Sequence, residues 1–347
     1  MAADRHEEAL KRFAEGTFIP AVPLALDAAR RLDWAAQRRL VRYYLEAGAG
    51  GAAVAVHTTQ FRIRDPQIAL LEPVLRAAAE EIECFEAETG QPVVRVAGAC
   101  GPTGQAVREA ELARNCGYDA ALLSPGGLGG LTEEALLERT RDVARILPVI
   151  GFYLQPSVGG RRLSYDYWRR LCEIENVIGV KCASFDRYST VDVVRAAAFS
   201  TRNITLYTGN DDNIVIDLLT PYRFTVDGST VTKRFQGGLL GHWAVCTRAA
   251  AKIFNELKQA TQILPGHLRL AAEITDFNAA VFDARNGFRG CIPGVHEVLR
   301  RQGLLEGTWC LDPEETLSAG QAEEIDRVME MYPHLCEPCF TAESRSP

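Results

Sequence analysis

The chain has 347 residues, 47% of them hydrophobic and 24% charged, with a formal net charge of −7. That is enough chain to bury a large core, and the acidic balance argues against a general nucleic-acid binder. No apolar run approaches the roughly 20 residues that span a bilayer, and the polar start Met1–Glu8 lacks the apolar stretch of a signal peptide, so a cytoplasmic protein with no membrane partner is expected.

Eight apolar runs read as strands, at 18–26, 51–57, 93–99, 119–124, 148–154, 177–183, 204–210 and 223–229. Most are continuous rather than alternating, as in strands covered on both faces. Between them lie stretches with apolar residues at three- and four-residue steps, such as 34–45, and 132–137 with Thr132 or a neighbour as its N-cap. Several strands recur about every 27 to 30 residues, the length of one strand, one loop and one helix. Eight such units predict an α/β fold of the (β/α)8 barrel type. A doubly wound sheet usually has fewer strands, and no G-x-G-x-x-G follows the first one.

Residues 236–260 form a long amphipathic segment, read as the last barrel helix. Residues 267–283, 294–302 and a segment opening at Ser318 read as further helices. No Pro/Ser-rich linker precedes them. The expected division is a catalytic barrel over 1–260 and a C-terminal helical extension over 261–347 packed on it, with Thr341–Pro347 frayed.

Most of the ten cysteines, among them Cys84, Cys100, Cys116, Cys172 and Cys246, stand singly in apolar or helical surroundings and read as reduced core thiols. Cys336 and Cys339 form the sole C-x-x-C. It has no second pair at zinc-ribbon spacing, so it reads as two tail cysteines despite nearby His334, and no metal is expected.

The chemistry centres on Lys181, at the end of Val177-Ile178-Gly179-Val180-Lys181. Tyr153 ends an earlier apolar run 28 residues upstream. If both runs are parallel strands, an amine and a phenol converge from the same ends. An amine in a partly dry pocket loses its proton near neutral pH and attacks a ketone, and a phenol beside it carries protons. Other strand ends add His57, Ser184, Asn210 and Asp211 as candidate substrate contacts, with Arg187 and Tyr188 for distal recognition. Asp211 and Asp212 are adjacent and cannot both point one way from a strand, which favours capping and substrate contact over a divalent metal. Gly126-Gly127-Leu128-Gly129-Gly130 is a candidate lid or phosphate cradle, although it lacks the Lys-Ser/Thr of a P-loop. Each residue has a plainer reading, as a solvated charge, a packing aromatic or a β-branched strand residue. The Lys181–Tyr153 spacing within a barrel pattern favours chemistry.

Four segments occur in an order that carries a resemblance: Phe18-Ile19-Pro20-Ala21-Val22-Pro23-Leu24, His57-Thr58-Thr59-Gln60-Phe61, Tyr153-Leu154-Gln155-Pro156 and Gly179-Val180-Lys181. With them the chain resembles the dihydrodipicolinate synthase / N-acetylneuraminate lyase family of class I aldolases. The resemblance implies a Schiff-base lyase with no metal or organic cofactor. Lys181 would form the imine, Tyr153 would shuttle protons, Thr59 would relay them, and Thr58 and Thr59 would hold a 2-oxo acid carboxylate. It also implies a homo-oligomer, a tetramer or dimer. Gln60-Phe61 stands where the family has Gly-Glu, Leu154 where it has Asn, and Val158 where the synthase branch often has an arginine. The expected partners are therefore a pyruvate-type 2-oxo acid and some other aldehyde or sugar-acid substrate. Three alternatives stand beside the aldolase: a sugar-acid dehydratase using the same imine, a non-catalytic 2-oxo acid binding protein, and a metal-dependent barrel aldolase built on Asp211 and His57.

Overall fold

The computed structural model describes residues 2–226 and 228–336. Among the described residues ten strands are formed: β1 (Phe18–Pro20), β2 (Gly51–Val54), β3 (Val94–Ala99), β4 (Ala120–Leu123), β5 (Val149–Leu154), β6 (Val177–Ala183), β7 (Thr205–Thr208), β8 (Tyr222–Val226), β9 (Ser229–Lys233) and β10 (Phe235–Leu240). Eight of them make one parallel sheet in the order β1-β10-β7-β6-β5-β4-β3-β2. A parallel bridge between Ala21 and Ala53 joins its two ends, with Val22 N–H donating to the Ala53 carbonyl at 2.9 Å, and closes the barrel. Strand residues are buried on both faces, which is why they read as continuous apolar runs rather than alternating ones.

Helices alternate with the strands outside the barrel: α1 (Ala2–Glu15), α2 (Trp34–Glu46), α3 (Leu71–Thr89), α4 (Thr103–Asn115), α5 (Glu133–Ala144), α6 (Tyr165–Cys172), α7 (Arg187–Ala198), α8 (Ile214–Leu219) and α9 (Thr247–Gln259). The expected Thr132 cap is present, its hydroxyl accepting the Ala135 N–H at 3.2 Å. Helix α1 was legible only as a polar segment. It closes the N-terminal mouth of the barrel. Phe13 stacks on Tyr207 with centroids 4.5 Å apart, and the Tyr207 hydroxyl donates to the Phe13 carbonyl at 2.8 Å.

The eighth barrel strand is a correction to the sequence reading. The run at 223–229 supplies no barrel strand. Strands β8 and β9 pair antiparallel as a separate hairpin that turns at Gly228, where φ is +77°. The barrel strand is β10, within the segment expected to be helical, and that helix begins only at Thr247. Gly237 and Gly238 hide this strand from a propensity reading, yet the close packing requires them. A Cβ at Gly237 would stand 2.4 Å from the Thr17 carbonyl oxygen, and one at Gly238 would stand 2.5 Å from the Trp243 ring.

Three further helices follow: α10 (Pro265–Val281), α11 (Cys291–Arg301) and α12 (Gln321–Met331). Asn278 of α10 donates to the Asp211 carbonyl at 2.7 Å, which ties this region to the loop after β7. Among the described cysteines Cys116, Cys172, Cys182, Cys246 and Cys310 are buried, whereas Cys84 is exposed, against its reading as a core thiol. Cys339 and Thr341–Pro347 lie outside the described residues. Among the described residues no helix is long and apolar enough to cross a membrane.

Candidate active site

Side chains alternate along β6. Val180 and Cys182 pack outward against the helices, whereas Lys181 and Ala183 face the barrel interior. Lys181 is 8% exposed and sits in a cavity at the C-terminal ends of the strands, where a barrel gathers its loops. About 660 Å³ of non-atom space lies here, open solvent at the mouth included. The Lys181 stem lies against Gly209, where a Cβ would stand 2.5 Å from Cε, so a larger residue at 209 would displace the lysine. Its Nζ lies 4.5 Å from the centroid of the Phe152 ring.

Asp211 faces the same cavity from the loop after β7. Its Oδ1 accepts the His242 N–H at 3.0 Å, so the carboxylate is anchored from the turn after β10 and its backbone from α10. Burial pulls the Lys181 ammonium below the ordinary amine value, and Asp211 partly opposes that pull. Burial raises the Asp211 carboxyl, with the His242 N–H and Lys181 acting against it. Each group therefore approaches neutrality from its own side, and their titrations are linked.

His57 lines the cavity at the end of β2. Burial, then nearby Lys181, pushes its imidazole down to about 4, so it is a neutral donor at pH 7. Thr58 also lines the wall, with its hydroxyl donating to the Ala21 carbonyl at 2.8 Å. The other expected contacts lie elsewhere. The Thr59 hydroxyl is fully buried beneath the wall, donating to the Val22 carbonyl at 2.7 Å and accepting the Val56 N–H at 3.3 Å. Ser184 bonds the Asp186 carbonyl in the loop after β6 and the Thr190 hydroxyl of α7. Asn210 donates to Asp217 at 2.8 Å and accepts the Phe185 N–H at 3.1 Å. Arg187 is ion-paired with fully buried Asp217 at 2.6 Å, and Tyr188 is 88% exposed. The glycine-rich loop is tied down by Arg161, which donates to the carbonyls of Gly129 and Leu131.

The largest departure concerns Tyr153. It points away from the cavity, stacked on Trp168 of α6 with centroids 5.1 Å apart and ring planes 19° from parallel. Burial raises its phenol, and a hydrogen bond with Ser189 opposes that rise. The cause is a register shift. Val149 pairs with Val177, an offset of 28, but Ile150 pairs with Gly179, an offset of 29, so one extra residue enters β6 at Ile178. Lys181 therefore pairs with Phe152, and Tyr153 with Cys182. A one-residue slip exchanges the faces of a strand, and among the described residues no tyrosine lines the cavity. Tyr153→Phe is expected to leave turnover within about twofold of the parent and to cost about 1 kcal/mol of stability for one hydrogen bond. A proton shuttle at this position would instead lose about 10²- to 10⁴-fold in turnover. Steady-state kinetics alongside urea unfolding separate the two.

The sequence reading also missed the apolar walls. Phe152 comes from β5, Phe185 from the loop after β6, and Phe282 and Phe288 from the segment between α10 and α11. Inward alternation from Lys181 marks Phe152 once the bulge is known. No local pattern marks the other three.

The sequence model of the dihydrodipicolinate synthetase family matches residues 15–331. A 4-hydroxy-tetrahydrodipicolinate synthase from Thiobacillus denitrificans is 30% identical over 203 residues, covering 57% of this chain and 63% of that protein. One from Pseudomonas aeruginosa is 27% identical over 195 residues, covering 54% and 61%. These alignments span about three fifths of the length of the curated relatives. Among solved structures, a chloride-inhibited dihydrodipicolinate synthase from Acinetobacter baumannii complexed with pyruvate superposes with a TM-score of 0.72 at 20% identity, covering 91% of this chain and 98% of that one. A prophage protein of the dihydrodipicolinic acid synthase family from E. coli K12, in complex with pyruvate, gives 0.73 at 16% identity, covering 92% and 99%. At such identities the superpositions show a shared fold.

Proposed function

The chain belongs to the dihydrodipicolinate synthetase family, and from that premise we propose that it is a lyase forming an imine between Lys181 and the ketone of a pyruvate-type 2-oxo acid. The observation that carries this reading is a buried amine, held below its ordinary pKa, sharing one cavity with a carboxyl held above its own. The free amine adds to the ketone carbon. Protonated Asp211 gives its proton to the departing hydroxyl, water leaves, and a protonated imine remains. The Asp211 carboxylate then takes a proton from the adjacent carbon to give the enamine. The enamine attacks an aldehyde carbonyl, and Asp211 delivers the proton to the new hydroxyl. Cleavage runs the same steps backwards. Neutral His57 offers an N–H to the 2-oxo acid carboxylate, a donor that protonation is not needed to supply. Assembly as a homo-oligomer in the cytoplasm belongs to the same proposal.

Borohydride trapping with pyruvate, read by peptide mass, tests it. A pyruvyl-sized adduct on the Lys181 peptide is the expected result. No adduct with pyruvate or with larger 2-oxo acids would overturn the imine chemistry. Product analysis then separates a lyase acting on carbon–carbon bonds from a dehydratase, because dehydration of a sugar acid keeps the carbon chain whole.

A further inference from the structure

Lys181 and Asp211 share the cavity with walls of different character. Phe152, Leu154, Val158, Phe185, Phe282 and Phe288 line it, with Gln155 as a polar residue among them. Phe185 and Phe288 meet edge to face with centroids 5.7 Å apart. Both have left-handed backbones, with φ of +52° and +67°. For bulky residues such a conformation costs on the order of 1–3 kcal/mol and persists only where neighbours enforce it. Both are enforced. The Asn210 side chain accepts the Phe185 N–H at 3.1 Å. The Phe288 N–H donates to the Asp283 carbonyl at 3.0 Å, and the Asp283 carboxylate accepts from Gly290 N–H at 3.0 Å, Asn286 at 2.6 Å and Ser318 at 2.5 Å. Two separate loops are thus strained and braced to bring two rings together over the cavity.

The charge balance points the same way. Among the described residues Lys181 is the only cation lining the cavity, and Asp211 faces it. Arg187 is engaged by Asp217, and Arg162 lies 3.5 Å from Asp186. Among the described residues no arginine or second lysine lines the cavity to receive a distal carboxylate or phosphate, and beside the Gln155 amide the aromatic walls offer few hydrogen bonds to a chain of hydroxyls.

Resting on the lyase reading above, we infer that the aldehyde half of the reaction is an uncharged, apolar aldehyde of aryl size, so that the 2-oxo acid made or cleaved carries an aromatic or alkyl substituent beyond the reacting carbons. The substituent lies between Phe185, Phe282 and Phe288, and the 2-oxo acid end lies on Lys181. Burying a phenyl-sized group favours such an aldehyde over a hydroxylated one by about 10- to 100-fold in kcat/KM.

The test uses the full-length protein with two readouts. In the first, pyruvate is offered with benzaldehyde, glyceraldehyde or succinic semialdehyde, and condensation rates are compared. In the second, calorimetry follows binding of benzyl alcohol, which cannot react with Lys181. Expected are a benzaldehyde preference of at least about tenfold, saturable benzyl alcohol binding, and loss of both in Phe288→Ala. Phe288→Leu should recover part of the binding. Preference for glyceraldehyde or succinic semialdehyde, or no saturable benzyl alcohol binding, overturns the inference even when pyruvate is trapped. Benzyl alcohol binding without any trapped imine upholds the apolar site and overturns the lyase reading instead.

Discussion

Lys181→Met is expected to abolish imine trapping and to lower turnover by on the order of 10⁵-fold, as when a covalent nucleophile is removed from an otherwise intact site. Methionine keeps an unbranched apolar stem of similar reach, so the contact with Gly209 is retained and folding should be unaffected. The parent protein adds a second signature. Because burial holds the Lys181 amine below its ordinary value, the rate of imine formation should rise with pH and level off well short of the range where exposed lysines titrate. A rise that continues to the ordinary amine value would mean that Lys181 is solvated, and the nucleophile would have to be sought elsewhere. Stopped-flow measurement of pyruvate binding across pH gives this profile directly.

Asp211→Asn is expected to separate two effects that act in opposite directions. Loss of the proton carrier should lower turnover by about 10²- to 10⁴-fold. Loss of the charge removes the influence that raises the Lys181 pKa, so the ascending limb of imine formation should move to lower pH. In the parent protein the carboxyl stays protonated to higher pH than an exposed aspartic acid and should lose its acid function as pH rises through that elevated value. Turnover should therefore be bell-shaped, with limbs that belong to the pair rather than to either residue. The asparagine variant should lose the descending limb. Exchange of the pyruvate methyl hydrogens with deuterated water, followed by NMR, reads the proton step alone. Persistent exchange in the variant at the parent rate would remove Asp211 from the mechanism.

The barrel was legible because its strands are covered on both faces and its helices return at regular intervals. Lys181, His57, Thr58 and Asp211 were legible as polar residues at strand ends, and all four line the cavity. The errors have local physical causes. The extra residue at Ile178 changes the offset between β5 and β6, so a spacing that was counted correctly named the wrong face for Tyr153. Glycines required by close packing disguised β10, while β-branched and aromatic residues in an exposed hairpin imitated a barrel strand. Ser184 and Asn210 stand at strand ends as expected, but their polar groups are consumed in bracing the loop that carries Phe185. Phe282 and Phe288 reach the cavity from far along the chain, and no periodicity in one segment announces a wall built for another.

Their position has a consequence for how such a protein can change over generations. The segment 282–290 lies outside the eight strand–helix repeats, whereas Lys181 and Asp211 lie within them. Two rings of the proposed acceptor pocket, Phe282 and Phe288, are thus written in a stretch of the gene separate from the reacting pair, while Phe152 and Phe185 stay with it. Recombination that replaced only that segment, together with its Asp283 brace, would exchange one acceptor preference for another while inheriting the reacting pair intact.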